Sequence, residues 1–359
     1  MRIGLNFLPT VGPSETPADQ FYRECLDLCV AADELGFAHV KVVEHYFYEW
    51  GGYSPDPVTF LAAVAARTHR VRLVTGAAVP AFTHPIKLAA KLSMLDNLSG
   101  GRLDAGFGRA FLPTEFEAFG VSMDDSRARM QEGVEAIRRL WTEDGFRFGG
   151  RFHQFGPLPR LLPVPAQSPH PPILIAATMS EESFAWAGAQ GYHVMIIPIV
   201  ASHQRLTDLL AIHHREWQRA EHPGTARKHV SYHAYVAERS AEAHRLAEQH
   251  FGDYQRKQLV AYGSWRGVAS EQYPGYEKME EAVRRTGYRD LVDAGNVLVG
   301  DPPELVGALE EVGRRYPGAE VSLHVRFGSV THQEAMRSVR LLGTQVLPKL
   351  AGEDGEAPR

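Results

Sequence analysis

Two periods of apolar residues alternate along nearly the whole chain. Short apolar runs at Ile3–Leu8, His39–Glu44, Arg72–Val79, Leu103–Gly108, Ile173–Ala177, His193–Pro198, Val230–Ala237 and Glu320–Phe327 read as buried strands. Stretches with helical spacing separate them. Over 20–35, Phe21, Cys25, Leu28, Cys29, Ala32 and Leu35 share one face, and Gly36 stops the helix. Further helices are predicted over 56–69, entered through Ser54-Pro55-Asp56-Pro57, and from His84-Pro85 to Leu98. Others fall at 123–141, Ser180–Gln190, up to residue 220, 240–252, Pro302–Tyr316 and Gln333–Leu350. Eight strand–helix pairs predict an α/β fold, a single (β/α)8 TIM barrel with insertions. The rival is an open doubly wound sheet. No Gly-x-Gly-x-x-Gly follows the first strand, which argues against it.

Two segments break the rhythm. Residues 144–172 are rich in Pro and Gly and read as an insertion with a small hairpin around Phe146–Phe155. Residues 253–295 read as irregular and aromatic, with Tyr254, Tyr262, Trp265, Tyr273, Tyr276 and Tyr288. The last residues, 351–359, read as a frayed tail. The 359 residues are 44% hydrophobic and 23% charged, which is enough for a substantial core. A net charge of -5 gives no basic footprint for nucleic acid. No apolar run is long enough for a bilayer. Met1–Phe7 reads as a strand with no secretory h-region, and the expected compartment is the cytoplasm. Cys25 and Cys29 sit four apart on one helix face and read as core residues.

In a strand–helix barrel the loops after the strands build the active site. The second strand runs out into Glu44-His45-Tyr46, followed by Phe47, Tyr48 and Trp50. An acid, an imidazole and aromatic rings thus share one exit. After the third strand, Thr75-Gly76-Ala77-Ala78 lets a flat ring approach the backbone, although small residues also suit barrel packing. After the fourth, Gly108-Arg109 places a guanidinium at the mouth for an anion or for an ion pair with Glu115 or Glu117. After the fifth, Thr178-Met179-Ser180-Glu181-Glu182-Ser183 opens a helix whose free N–H groups and hydroxyls suit an anion, with Ser180 as N-cap. His193 and His324 stand alone on their strands, so no metal site is expected. No Gly-x-Ser-x-Gly elbow supports a Ser–His–Asp hydrolase.

Taken in order, these pieces resemble the bacterial luciferase-like flavin monooxygenases, especially the luciferase alpha subunit. The matching pieces are Glu44-His45-Tyr46-Phe47 with Glu49 and Gly51, Thr75-Gly76-Ala77-Ala78, Thr83-His84-Pro85, Gly101-Arg102-Leu103 and Gly108-Arg109. Phe119-Gly120, Met123-Asp124-Asp125-Ser126-Arg127-Ala128, Trp186-Ala187 and Val299-Gly300-Asp301-Pro302 continue the series. The resemblance covers residues 2–200 well and 290–350 more loosely.

It implies one luciferase-like barrel over 1–350 that binds FMN as FMNH2, delivered by a separate reductase. His45 is then the histidine beside the flavin that oxygen chemistry requires, with Glu44 orienting it. Gly76 and Ala77 correspond to a non-proline cis peptide or bulge under the isoalloxazine. Arg109, Ser180 and Ser183 correspond to phosphate ligands. Met179 and Gly108 lie near the ring. Tyr46, Trp50, Phe111 and Trp265 are the expected walls of the substrate pocket, with 253–295 as its lid. Tyr46, Gly108 and Phe327 or Arg326 replace luciferase's second histidine, reactive cysteine and late glutamate, which argues against light emission and a long-chain aldehyde. Glycine at 108 is expected to open room for a bulkier substrate. The expected reaction is hydroxylation or Baeyer–Villiger oxygenation of a small molecule by O2, and the expected assembly is a homodimer. The alternatives are an F420-dependent oxidoreductase, a non-catalytic flavin-binding protein and a barrel metallohydrolase.

Overall fold

The computed structural model describes residues 1–350; the frayed tail expected at 351–359 lies outside them. The chain begins with β1 (Arg2–Phe7), α1 (Ala18–Glu34), β2 (His39–Val42), α2 (Pro57–Ala65), β3 (Arg72–Thr75), α3 (Pro85–Leu98) and β4 (Leu103–Phe107). It continues through α4 (Pro113–Phe119), α5 (Ser126–Thr142), β5 (Phe146–Gly149), β6 (Gln154–Leu158), β7 (Ile173–Ala176), α6 (Glu181–Ala189) and β8 (His193–Ile196). It ends with α7 (His203–Arg219), β9 (Lys228–Val236), α8 (Ser240–Tyr262), α9 (Met279–Arg285), α10 (Tyr288–Asp293), β10 (Val297–Gly300), α11 (Pro302–Arg315), β11 (Glu320–His324), α12 (His332–Leu341) and α13 (Leu347–Leu350).

The barrel order is β1-β2-β3-β4-β7-β8-β9-β11, and Leu323 of β11 pairs with Leu5 of β1 to close it. All eight expected strands are there, parallel throughout. The ninth strand of the sheet, β10, is one the sequence reading did not anticipate. Lys228, His229 and Val230 of β9 pair with β8, while His233–Val236 pair with β10. β10 therefore covers the side of β9 that β8, ending at Ile196, leaves open. One residue set packs outward under the helices: Leu5, Val40, Leu73, Leu103, Val194 and Val321 are all fully buried. Burying these side chains contributes about 1.5–3 kcal/mol each. Cys25 and Cys29 are free and buried in α1, and burial pushes the Cys25 thiol up to about 12.

The strands' N-terminal ends meet in a polar floor. Asp104, with no exposed surface, accepts from Arg72 at 2.6 Å and Arg227 at 2.8 Å, and Arg227 also reaches Glu320 at 2.8 Å. Burial raises the Asp104 carboxyl, but the two guanidiniums outweigh that and hold it down at about 2. His39, His229 and Glu320 also cluster there. Arg227 already engages one Glu320 oxygen and Arg2 stands 3.6 Å from the other, so arginines fill the cation's role.

The 144–172 insertion forms the expected hairpin, β5 with β6. It then sends Gln167 under the barrel, bonded to Asp96 at 2.7 Å and the Leu103 carbonyl at 2.7 Å. The other segment departs from expectation. Helix α8 does not stop at 252 but runs ten residues further, to Tyr262. Phe251, Tyr254, Gln258, Ala261 and Tyr262 extend its buried face, and Asp253 and Lys257 pair one turn apart at 2.9 Å. Two short helices, α9 and α10, occupy what had read as irregular chain.

Candidate active site

Strands β2, β3, β4 and β7 are neighbours, so their exits lie side by side on one rim. At the β2 exit, Glu44 is buried and accepts from the Tyr46 hydroxyl at 2.7 Å and the Val79 N–H at 3.0 Å. Burial pushes its carboxyl up to about 7, against the pull of these two bonds. His45 turns the other way. Its Nδ1 lies 3.0 Å from Glu115 Oε1, and the same oxygen accepts the Tyr46 N–H at 3.0 Å. Glu115, brought in by α4, is 1% exposed. Nδ1 donating to this carboxylate leaves Nε2 as the ring atom free to exchange a proton. Glu44 therefore does not orient His45, as expected from the sequence; Glu115 does. Adjacent residues on extended chain point to opposite sides, which separates Glu44 from its neighbour.

The next two exits form a shelf of small residues. The Gly76–Ala77 peptide is cis, as the resemblance implied. A Cβ at Gly76 would fall 2.2 Å from Lys41 Cγ, so this position has no room for a side chain. Beneath, Val74, Leu174 and Met195 plug the barrel axis, with Ala77 and Ala176 packed on them. Gly108 does not open space for a larger substrate. A Cβ there would meet Ala77 Cβ at 3.0 Å and Ala176 Cβ at 3.3 Å, so the glycine serves close packing of the shelf.

An anion cradle follows. Ser180 caps α6, accepting from the Ser183 N–H. Arg127, from the first turn of α5, donates through Nη1 to Ser180 Oγ at 3.0 Å and Ser183 Oγ at 2.9 Å. Arg109 faces the same space. It forms no ion pair with Glu115 or Glu117; it lies 4.7 Å over the Tyr273 ring and donates to the Gln272 carbonyl at 3.3 Å. Burial and the charge of Arg109 both lower the pKa of Arg127. Two guanidiniums repel one another here unless an anion lies between them. Glu182 pairs with Arg127 at 3.3 Å but is 78% exposed, and Glu181 turns away to Arg205. Sequence reasoning did not name Arg127 as a ligand, although it stands inside the Met123–Ala128 piece. Glu115 it missed too; seventy residues separate that side chain from its histidine.

Aromatic rings wall the rim. Trp50 lies 5.0 Å and Phe111 5.6 Å from the His45 ring, and Phe111 packs on Tyr262 at 5.8 Å and Tyr276 at 6.2 Å. Tyr46 meets Phe119 edge-on at 4.9 Å. Met179 is partly exposed in the turn before α6. Trp265 takes another place. It is buried with Val79, Ala110, Phe116 and Tyr273, and so anchors its segment to the body.

A closed parallel barrel with this rim is the architecture of flavin-type barrel oxidoreductases as the sequence resemblance described them. The luciferase-like monooxygenase family matches residues 1–319, and the chain belongs to it. It is 32% identical over 232 residues to the oxygenase component of the flavin-dependent trigonelline monooxygenase of Acinetobacter baylyi. That match covers 64% of this chain and 63% of the relative, a little under two thirds of its length. The crystal structure of monooxygenase RslO1 from Streptomyces bottropensis superposes with a TM-score of 0.85 at 44% identity, covering 98% of this chain and 100% of that one. The oxygenating constituent of the Pseudomonas putida 3,6-diketocamphane monooxygenase, a type II Baeyer–Villiger enzyme solved with FMN, shares the fold at TM-score 0.80 and 21% identity, over 97% and 98% of the two chains. No helix among the described residues is long and apolar enough to cross a membrane.

Proposed function

We propose that this protein is the oxygenase component of a two-component flavin monooxygenase. One observation carries the reading: two guanidiniums, two hydroxyls and a helix N-terminus converge on the same rim as an oriented imidazole. Arg109, Arg127, Ser180 and Ser183 would hold the phosphate of FMN. The shelf of Gly76, Ala77 and Gly108 would receive the ring system. Bound as FMNH2 and supplied by a separate reductase, the cofactor would bring the electrons that activate O2.

The chain's own residues then have distinct tasks. His45 holds or gives a proton at Nε2, next to the place where oxygen and substrate meet. Glu115 fixes that tautomer. Glu44 fastens the β3 exit through Val79 and so keeps the shelf in position. Trp50, Phe111, Tyr262 and Tyr276 exclude water from the rim. The relatives' names favour a substrate with an aromatic ring or a ketone, giving hydroxylation or a Baeyer–Villiger product.

The test is a side-by-side titration of the purified protein with FMN, FMNH2 and F420, followed by reductase-coupled turnover on a panel of phenols and cyclic ketones. FMN species should bind and F420 should not. Binding of F420 alone would overturn the reading. Product formation should collapse in His45→Ala while FMN affinity stays close to wild type.

A further inference from the structure

We infer that Gln272 is a latch that competes with the cofactor phosphate for the two cradle arginines. The inference rests on the phosphate reading of the cradle. Gln272 presents two acceptor oxygens to two cations: its carbonyl takes Arg109 Nη1 at 3.3 Å and its Oε1 takes Arg127 Nε at 3.1 Å. A phosphate would offer oxygens to the same donors. Half-buried guanidiniums need acceptors, and a neutral residue provides them here. A dianion binds guanidinium more strongly than an amide oxygen does, so Gln272 gives way when phosphate arrives.

The rest of the segment is fastened separately. Ser270 donates to Asp124 at 2.6 Å, and the Gln272 N–H donates back to Ser270 Oγ at 3.2 Å. The Tyr273 hydroxyl donates to the Ala110 carbonyl, and Trp265 and Tyr273 are buried against Val79, Ala110 and Phe116. Those anchors stand on the β3 and β4 exits and on α4, at the edge of the shelf. Losing the two arginine bonds therefore loosens residues 263–276 without detaching them. Tyr276, packed on Phe111, belongs to the same segment, so the change reaches the aromatic wall beside His45.

Two variants of the full chain test this, with riboflavin as the phosphate-free control. Gln272→Ala should bind FMN severalfold tighter. Gln272→Glu, whose carboxylate can pair with the guanidiniums itself, should bind FMN at least about tenfold weaker, the value of one charge-assisted hydrogen bond. Riboflavin should bind all three proteins alike. Amide hydrogen exchange across 263–276 should quicken in the wild type on adding FMN or millimolar inorganic phosphate. Weaker FMN binding by Gln272→Ala would make Gln272 a phosphate ligand and overturn the latch, as would unchanged exchange. A wild type that binds no FMN would remove the flavin reading. Exchange in inorganic phosphate would still decide the latch, quickening supporting it and constancy refuting it.

Discussion

Removing Arg127 isolates the cradle from the rest of the rim. Methionine keeps most of the side-chain volume and removes the charge. In the protein, one terminal nitrogen of Arg127 binds both Ser180 and Ser183 hydroxyls, at 3.0 and 2.9 Å. On the proposed phosphate reading, Arg127→Met therefore removes a phosphate contact, and it frees two hydroxyls to turn away. A hydrogen bond to a charged group contributes about 1.5–3 kcal/mol. The Arg127 side chain is 17% exposed, so solvent screening trims this only in part. A loss of about 1.5–2.5 kcal/mol corresponds to an FMN dissociation constant raised roughly 10- to 70-fold. Its ion pair with exposed Glu182 contributes little to folding. The assay is calorimetric or fluorescence titration with FMN and, in parallel, riboflavin. FMN affinity within threefold of wild type, or an equal loss for riboflavin, would refute the cradle as a phosphate site.

Two further outcomes follow from the histidine side of the rim. Glu115→Gln keeps an acceptor for His45 and Tyr46 but weakens the bond that fixes the Nδ1–H tautomer. Turnover should fall about tenfold while FMN affinity holds; unchanged turnover would make Glu115 merely structural. Glu44, raised by burial from 4.5 to about 7, favours the protonated form in the folded state. Its stabilising contribution is complete below pH about 4.5 and disappears as pH climbs through about 7, a change of roughly 3 kcal/mol. Glu44→Gln, whose amide oxygen can still accept from the Val79 N–H and whose N–H can donate to the Tyr46 hydroxyl instead, should lack this decline in denaturant melts between pH 5 and 8, and parallel curves for the two proteins would sink the assignment.

Much of the fold could be read directly from the chain, because strands buried on both faces write themselves as short apolar runs. Two things escaped. β10 is four residues long and merges into the Val299-Gly300-Asp301-Pro302 turn, so its pairing with β9 has no local signature. The end of α8 lies past the expected residue 252, because Lys257 and the buried Tyr254 carry the helix through. At the site, His45, Arg109, Ser180 and Ser183 were visible because strand exits and helix caps are local features. Glu115, Arg127 and Gln272 were not, because each reaches its partner across the rim from a different element. Glu44 misled for the opposite reason: nearness in sequence on extended chain implies divergence in space. Gly108 misled because a missing side chain says nothing about whether neighbours have closed in.

Gln167, the polar floor and the apolar plug of Val74, Leu174 and Met195 lie in line below the shelf. They make the barrel a solid post, with chemistry at its head and fastening at its foot. Alterations around Gln167 should therefore change how long the enzyme survives heating and leave what it oxidises untouched. Anyone seeking a sturdier catalyst has a place to work that the reaction never sees.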